Sequence, residues 1–67
     1  MDHVYKTMEI TGTSGKGAED AVHRAVEKAN ESVRHMRWFE VSEIRGHIEA
    51  GVIAHWQVSV KIGFSVE

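Results

Sequence analysis

Three side chains in this 67-residue sequence have the chemical reach to hold a planar heterocycle: the indole of Trp38, the amide of Gln57 and the guanidinium of Arg45. Trp38 sits in the run Arg37-Trp38-Phe39-Glu40-Val41. Strand alternation puts Phe39 and Val41 on one face and Trp38 on the opposite, normally wet, face. A large flat aromatic is costly to leave in water and makes a stacking platform. Gln57 carries both a donor and an acceptor, as needed to read the edge of a ring. A two-residue hairpin at Ala50-Gly51 would set Trp38 opposite Gly63 and Ile44 opposite Gln57, leaving open space at Gly63 across from the indole. Two readings of this pair stand at the level of residues. One is a stacking site; the other is an indole packed in a subunit interface beside a solvated glutamine. Arg45 precedes Gly46, and glycine allows a ligand or a second backbone to come close, so the guanidinium could meet a phosphate. The plainer alternative is a salt bridge to Glu43 or Glu40.

Other groups carry weaker signals. The histidines are His3, His23, His35, His47 and His55, and none shows a metal-helix spacing. His47 and His55 face each other across the expected hairpin, where Glu49 or Glu43 could complete a metal site, or both could be ordinary surface histidines. The segment from Gly12 to Gly17 precedes a helix but lacks the glycine-lysine-serine/threonine ending of a phosphate loop, so a plain turn is expected. Trp56 shares the apolar face of its strand with Val58 and Val60 and is expected in the core. No nucleophile elbow, cysteine or paired carboxylates are present to support catalysis, and an enzyme is not expected.

The elements that must position these groups are legible from periodicity. Residues 3–11 alternate as a strand, with Val4, Met8 and Ile10 on one parity and Lys6 interrupting that row. Ala18, Ala21, Val22, Ala25, Val26, Ala29, Val33 and Met36 form a stripe at spacings of three and four, predicting a helix from Ala18 to about Met36. Ser14 or Gly17 would cap it, with Glu19 and Asp20 in its first turn and Arg34 and His35 in its last. Arg37 belongs to that same basic cluster. Residues 38–48 form a second strand whose apolar parity switches between Val41 and Ile44, the mark of a bulge or a change of environment. Gly51 takes a positive φ in the turn. The final strand alternates strictly, Val52, Ala54, Trp56, Val58, Val60, Ile62, Phe64 and Val66 against Ile53, His55, Gln57, Ser59, Lys61, Gly63 and Ser65. The order is β-α-β-β, an α+β fold with an antiparallel sheet and one helix.

Sixty-seven residues make a single domain, 1–67, with a marginal core of its own. Cysteine and proline are absent, so no disulfide staples the fold and nothing guards its edge strands. A strand of some fifteen residues spans about 50 Å, more than one helix can cover. Association into a homo-oligomer follows. Net charge is −2 with mixed signs, which gives no nucleic-acid footprint. No segment has the length and hydropathy of a membrane span or the layout of a signal peptide, so the expectation is a soluble, cytoplasmic protein without membrane partners.

The sequence resembles the dodecins, small flavin-binding proteins, almost from end to end. The resemblance is carried by His3-Val4-Tyr5-Lys6, Gly12-Thr13-Ser14, Glu19-Asp20-Ala21, Arg37 to Val41, Arg45 to Glu49, and Ala54 to Val58 followed by Lys61 to Phe64. It implies a three-stranded antiparallel sheet wrapped around one helix, assembled into a hollow dodecamer. It implies that Trp38 and its symmetry mate sandwich paired isoalloxazine rings, that Gln57 hydrogen-bonds the ring's polar edge, and that Arg45 serves phosphorylated flavin. FMN or riboflavin is the implied cofactor, held for storage and quenched when photoexcited. Many bacterial members carry arginine where this chain has Ser65, which weakens the case for FMN over riboflavin. The alternative is a structural shell without flavin, or one binding another nucleotide-like ligand such as coenzyme A.

Overall fold

The computed structural model describes residues 2–66. Strand β1 runs Tyr5–Ser14, helix α1 Ala18–Ala29, strand β2 Met36–Glu49 and strand β3 Val52–Ser65. The strands form one antiparallel sheet in the order β1-β3-β2, so the last strand is central and both earlier ones are edges. The β-α-β-β expectation holds. The molecule is 53 Å in its longest dimension, which the two 14-residue strands of the hairpin set.

One face of the sheet carries the core. Val58, Val60 and Ile62 alternate along β3 and are fully buried against Ala21, Ala25 and Ala29 of α1. Alanines let the helix lie close, and Gly12 of β1 lets it lie closer. A Cβ there would collide with the Ala21 carbonyl and stand 3.1 Å from the Ala25 Cβ. Gly12 is therefore a helix-docking residue within β1. The expected end of that strand at Thr11 is corrected to Ser14, because pairing with β3 continues through Thr13↔Gln57 and Ser14↔Trp56.

The helix is shorter than its stripe. It stops at Ala29, where Asn30 and Ser32 offer poor helix propensity and side chains that compete for the backbone. The chain tightens there through Glu31 N–H to the Lys28 carbonyl and Ser32 N–H to the Ala29 carbonyl. His35 then takes φ 63° and turns into β2. Arg34 and His35 therefore lie outside the helix, Lys28 is the cation of its last turn, and Arg37 belongs to β2. At the other end Gly17 is the cap residue, extended, with its carbonyl accepting from the Ala21 N–H. Ser14 instead accepts the Lys16 N–H at 2.9 Å and donates to Asp20 Oδ2 at 2.6 Å.

Bulges settle the parity of the hairpin. Ser42 is an extra residue in β2 between Val41↔Val60 and Glu43↔Ser59, so Phe39, Val41 and Ile44 all share the helix-side face despite their switch in parity. Its hydroxyl donates across β3 to Glu9 Oε2 at 2.6 Å. Ala54 is a second extra residue, in β3, and it moves Ile53 onto the face of Trp56, opposite Ile48. Strict alternation, which placed Ile53 with His55 and Gln57, fails at that point. Ala50 (φ 51°) and Gly51 (φ 77°) close the turn, both with positive φ as a type I′ hairpin requires.

Candidate functional site

Trp38 stands opposite Gly63 on the face of the sheet away from the helix. The indole lies on the glycine itself: a Cβ at position 63 would collide with Trp38 Cε2 and Cζ2. The space expected to be open at Gly63 is thus filled by the indole, which buries the glycine and fixes one ring face against the strand. The outward face stays available, and the residue as a whole is 42% exposed. Any side chain at 63 would lift the ring off the sheet. Gly63 is a site residue whose role as a seat needs the register to be recognised.

Gln57 and Arg45 form a second constellation. They are direct partners in the β2–β3 ladder, whereas Ile44 stands opposite Val58. The extra residue Ala54 in β3 causes this one-residue shift from the expected Ile44–Gln57 pairing, and the Ser42 bulge in β2 cancels it further along. Gln57 is half-buried between Arg45 on one side and Thr13 of β1 on the other. Arg45 Nη1 lies 3.6 Å from Glu43 Oε1, both side chains well exposed, so the salt bridge weighed above is present but contributes little. Gly46 accommodates backbone rather than ligand: a Cβ there would stand 2.9 Å from the His55 carbonyl oxygen.

The two constellations do not meet within one chain. Gln57 and Gly63 are six positions apart on β3, a distance of about 20 Å along the strand. They share a face, since β3 itself carries no extra residue between those positions. A ligand touching an indole and a Gln57 amide together must therefore take them from different chains.

The remaining candidates resolve as follows. His47 and His55 are direct ladder partners, their rings stacked at 5.3 Å and 15°, with His47 Nε2 3.5 Å from Glu49 Oε2. Among the described residues no three acidic or histidine side chains converge to hold a metal ion. Trp56, expected in the core, is only partly buried. It lines a groove with Ile44, Ile48 and Ile53 that the helix does not reach. The turn before α1 engages its hydroxyl and carboxylate internally. The Ser14 hydroxyl, then Arg24 at 2.8 Å, hold Asp20 below the usual carboxylate range, and Asp20 in turn raises Arg24. Beside Trp38, Arg37 Nε donates to Ser65 Oγ at 3.3 Å. Sequence reasoning assigned Arg37 to a helix end and so did not place it beside Trp38.

No helix among the described residues is long and apolar enough to cross a membrane. The sequence profile of the dodecin family matches residues 4–67. The dodecin of Thermus thermophilus is 43% identical over 67 residues, covering all of this chain and 97% of that protein. The solved dodecin of Streptomyces coelicolor is 47% identical, covering 98% of this chain and 94% of that one, with a TM-score of 0.92. A calcium dodecin of Mycobacterium tuberculosis, described with a novel calcium-binding site, is 31% identical over 96% of this chain and 91% of its own, with a TM-score of 0.81.

Proposed function

This chain belongs to the dodecin family, a family of flavin-binding proteins, and on that premise we propose that it binds flavin by stacking the isoalloxazine on Trp38. The observation that carries the reading is the indole laid flat on Gly63 with its outer face open. A ring pressed against a glycine backbone is pre-oriented, so little side-chain freedom is lost when a second ring stacks on it. Stacking of a heterocycle on an aromatic side chain contributes roughly 1–3 kcal/mol per ring face. Gln57 supplies the edge contact from a neighbouring chain, donating and accepting at the polar side of the ring, with Arg45 of that same chain beside it.

The assembly follows from the same geometry. The helix-side faces of β2 and of the hairpin's tip carry Phe39, Ile44, Ile48 and Ile53, each more than half exposed. Burial of that surface between copies would join a Trp38 end to a Gln57 end, and the hollow dodecamer of the family fits this requirement. A photoexcited ring stacked there would take one electron from Trp38 and give it back by charge recombination, so that both would return to their ground states before the ring could react with other molecules. The protein is then a store and a shield for FMN or riboflavin rather than a catalyst.

Titration of apo-protein with either flavin, followed by flavin fluorescence, tests the proposal. Deep quenching that saturates at one flavin per chain, and is lost in Trp38→Ala, is the expected result. Unquenched fluorescence with both flavins would refute it, as would quenching that survives Trp38→Ala.

A further inference from the structure

The surroundings of Trp38 are electrically uneven along β3. Toward Gln57, the next residue on the same face is Lys61, and its ladder partners on both sides are acidic, Glu9 of β1 and Glu40 of β2. That cation is flanked by two carboxylates. In the other direction the next residue on the face is Ser65, about 7 Å from Gly63 along the strand. Its partner across β1 is the uncharged Tyr5. Lys6, the nearest cation of β1, pairs with Phe64 and so lies on the opposite face.

The charge at this end comes from Arg37. The register passes from Met36↔Phe64 directly to Trp38↔Gly63, leaving Arg37 as an extra residue in β2 with no partner on β3. Its Nε donates to Ser65 Oγ at 3.3 Å, which holds the guanidinium beside the indole on the ligand-facing side. Among the described residues it joins no ion pair, whereas Arg45 lies 3.6 Å from Glu43 and would reach the ring only from a neighbouring chain, at the Gln57 edge rather than at the Ser65 side. The terminal nitrogens of a guanidinium form a planar fork suited to two phosphate oxygens.

From this we infer that Arg37 is the residue by which the chain selects a ligand with a terminal phosphate over its unphosphorylated counterpart. The inference rests on the reading of Trp38 as the flavin platform. With the ring stacked on the indole, a tail directed toward Ser65 brings its phosphate to the unpaired fork. A tail directed toward Lys61 meets Glu9 and Glu40 instead. An uncharged tail gains nothing from either direction.

The test compares FMN with riboflavin by fluorescence quenching in the wild-type chain, Arg37→Gln and Arg37→Lys, at low and high salt. The wild type should favour FMN about tenfold, equivalent to about 1.4 kcal/mol, and lose that margin as salt rises. Arg37→Gln should bind riboflavin unchanged and bind both flavins equally, while Arg37→Lys should keep part of the preference. An FMN preference that survives Arg37→Gln would overturn the inference and leave the stacking site intact. So would an equal loss of both flavins, which would make Arg37 a support for Trp38 alone. Failure of both flavins to quench in the wild type would remove the platform and the inference with it.

Discussion

The β1–β3 half of the sheet and the β2–hairpin half carry the same apolar pattern but differ in what covers it. On the first, Val58, Val60 and Ile62 face three alanines of α1 and are sealed from water. On the second, Phe39 and Ile44 are each 55% exposed and Ile48 is 69% exposed, although the bulges at Ser42 and Ala54 align them on the same face. A 12-residue helix lying across β1 and β3 has no further length or width to reach them. One half is a monomer's core, and the other has the composition of a core that further copies of the chain must complete. The two ends of the proposed flavin site lie along this division, since β2 carries both Trp38 and Arg45 but holds them about 20 Å apart.

Substitutions in the two halves should therefore have different signatures. In the covered half, Ile62→Ala removes the largest fully buried side chain and should cost about 2–5 kcal/mol per chain. Denaturant unfolding would read this as a lowered midpoint, and a shift under 1 kcal/mol (about fivefold) would mean the core is not where burial places it. In the uncovered half, Ile44→Ser should forfeit about 1.5–3 kcal/mol per chain of burial that only assembly provides. Sedimentation should then show the oligomer weakened, in a concentration-dependent way. An unchanged assembly would place the copy–copy contact elsewhere.

The smallest effect belongs to the turn that launches α1. The folded state lowers the Asp20 pKa through the Ser14 hydroxyl first and Arg24 second. A lowered folded pKa stabilises the fold above the ordinary carboxylate range and loses that contribution as pH falls through the folded value. Wild-type melting temperature should thus fall more steeply than that of Asp20→Asn as pH drops below about 4. Because the Arg24 partner is well exposed, its share of the difference should be small and should shrink with salt, leaving the share from the Ser14 hydroxyl.

Much of this was legible in the sequence. The helical stripe, the two long strands and the Gly51 turn follow from period and turn chemistry, while the expected opposition of Trp38 to Gly63 holds because the Ala54 and Ser42 bulges cancel before reaching it. Excess apolar length also pointed to association. The bulges were only half legible: the parity switch between Val41 and Ile44 announced one, but nothing in Ile53-Ala54-His55 distinguishes a bulge from plain alternation. That is why Gln57 was set opposite Ile44 when its partner is Arg45. The helix was overextended because Val33 and Met36 continue its spacing after the backbone has left it. The same error hid Arg37, which reads as a helix-end charge until β2 is seen to begin at Met36. A glycine that seats an indole and a glycine that admits a helix look alike in sequence, and only the register separates Gly63 from Gly12.

The central claim is that flavin binds to a site completed between chains. Sedimentation velocity of the flavin-loaded protein, recorded both at the protein's absorbance and at the flavin's visible band, tests it directly. The account predicts that bound flavin sediments only with a large oligomer, and that diluting the sample until chains separate releases it. Flavin carried by a species the size of a single chain would contradict it.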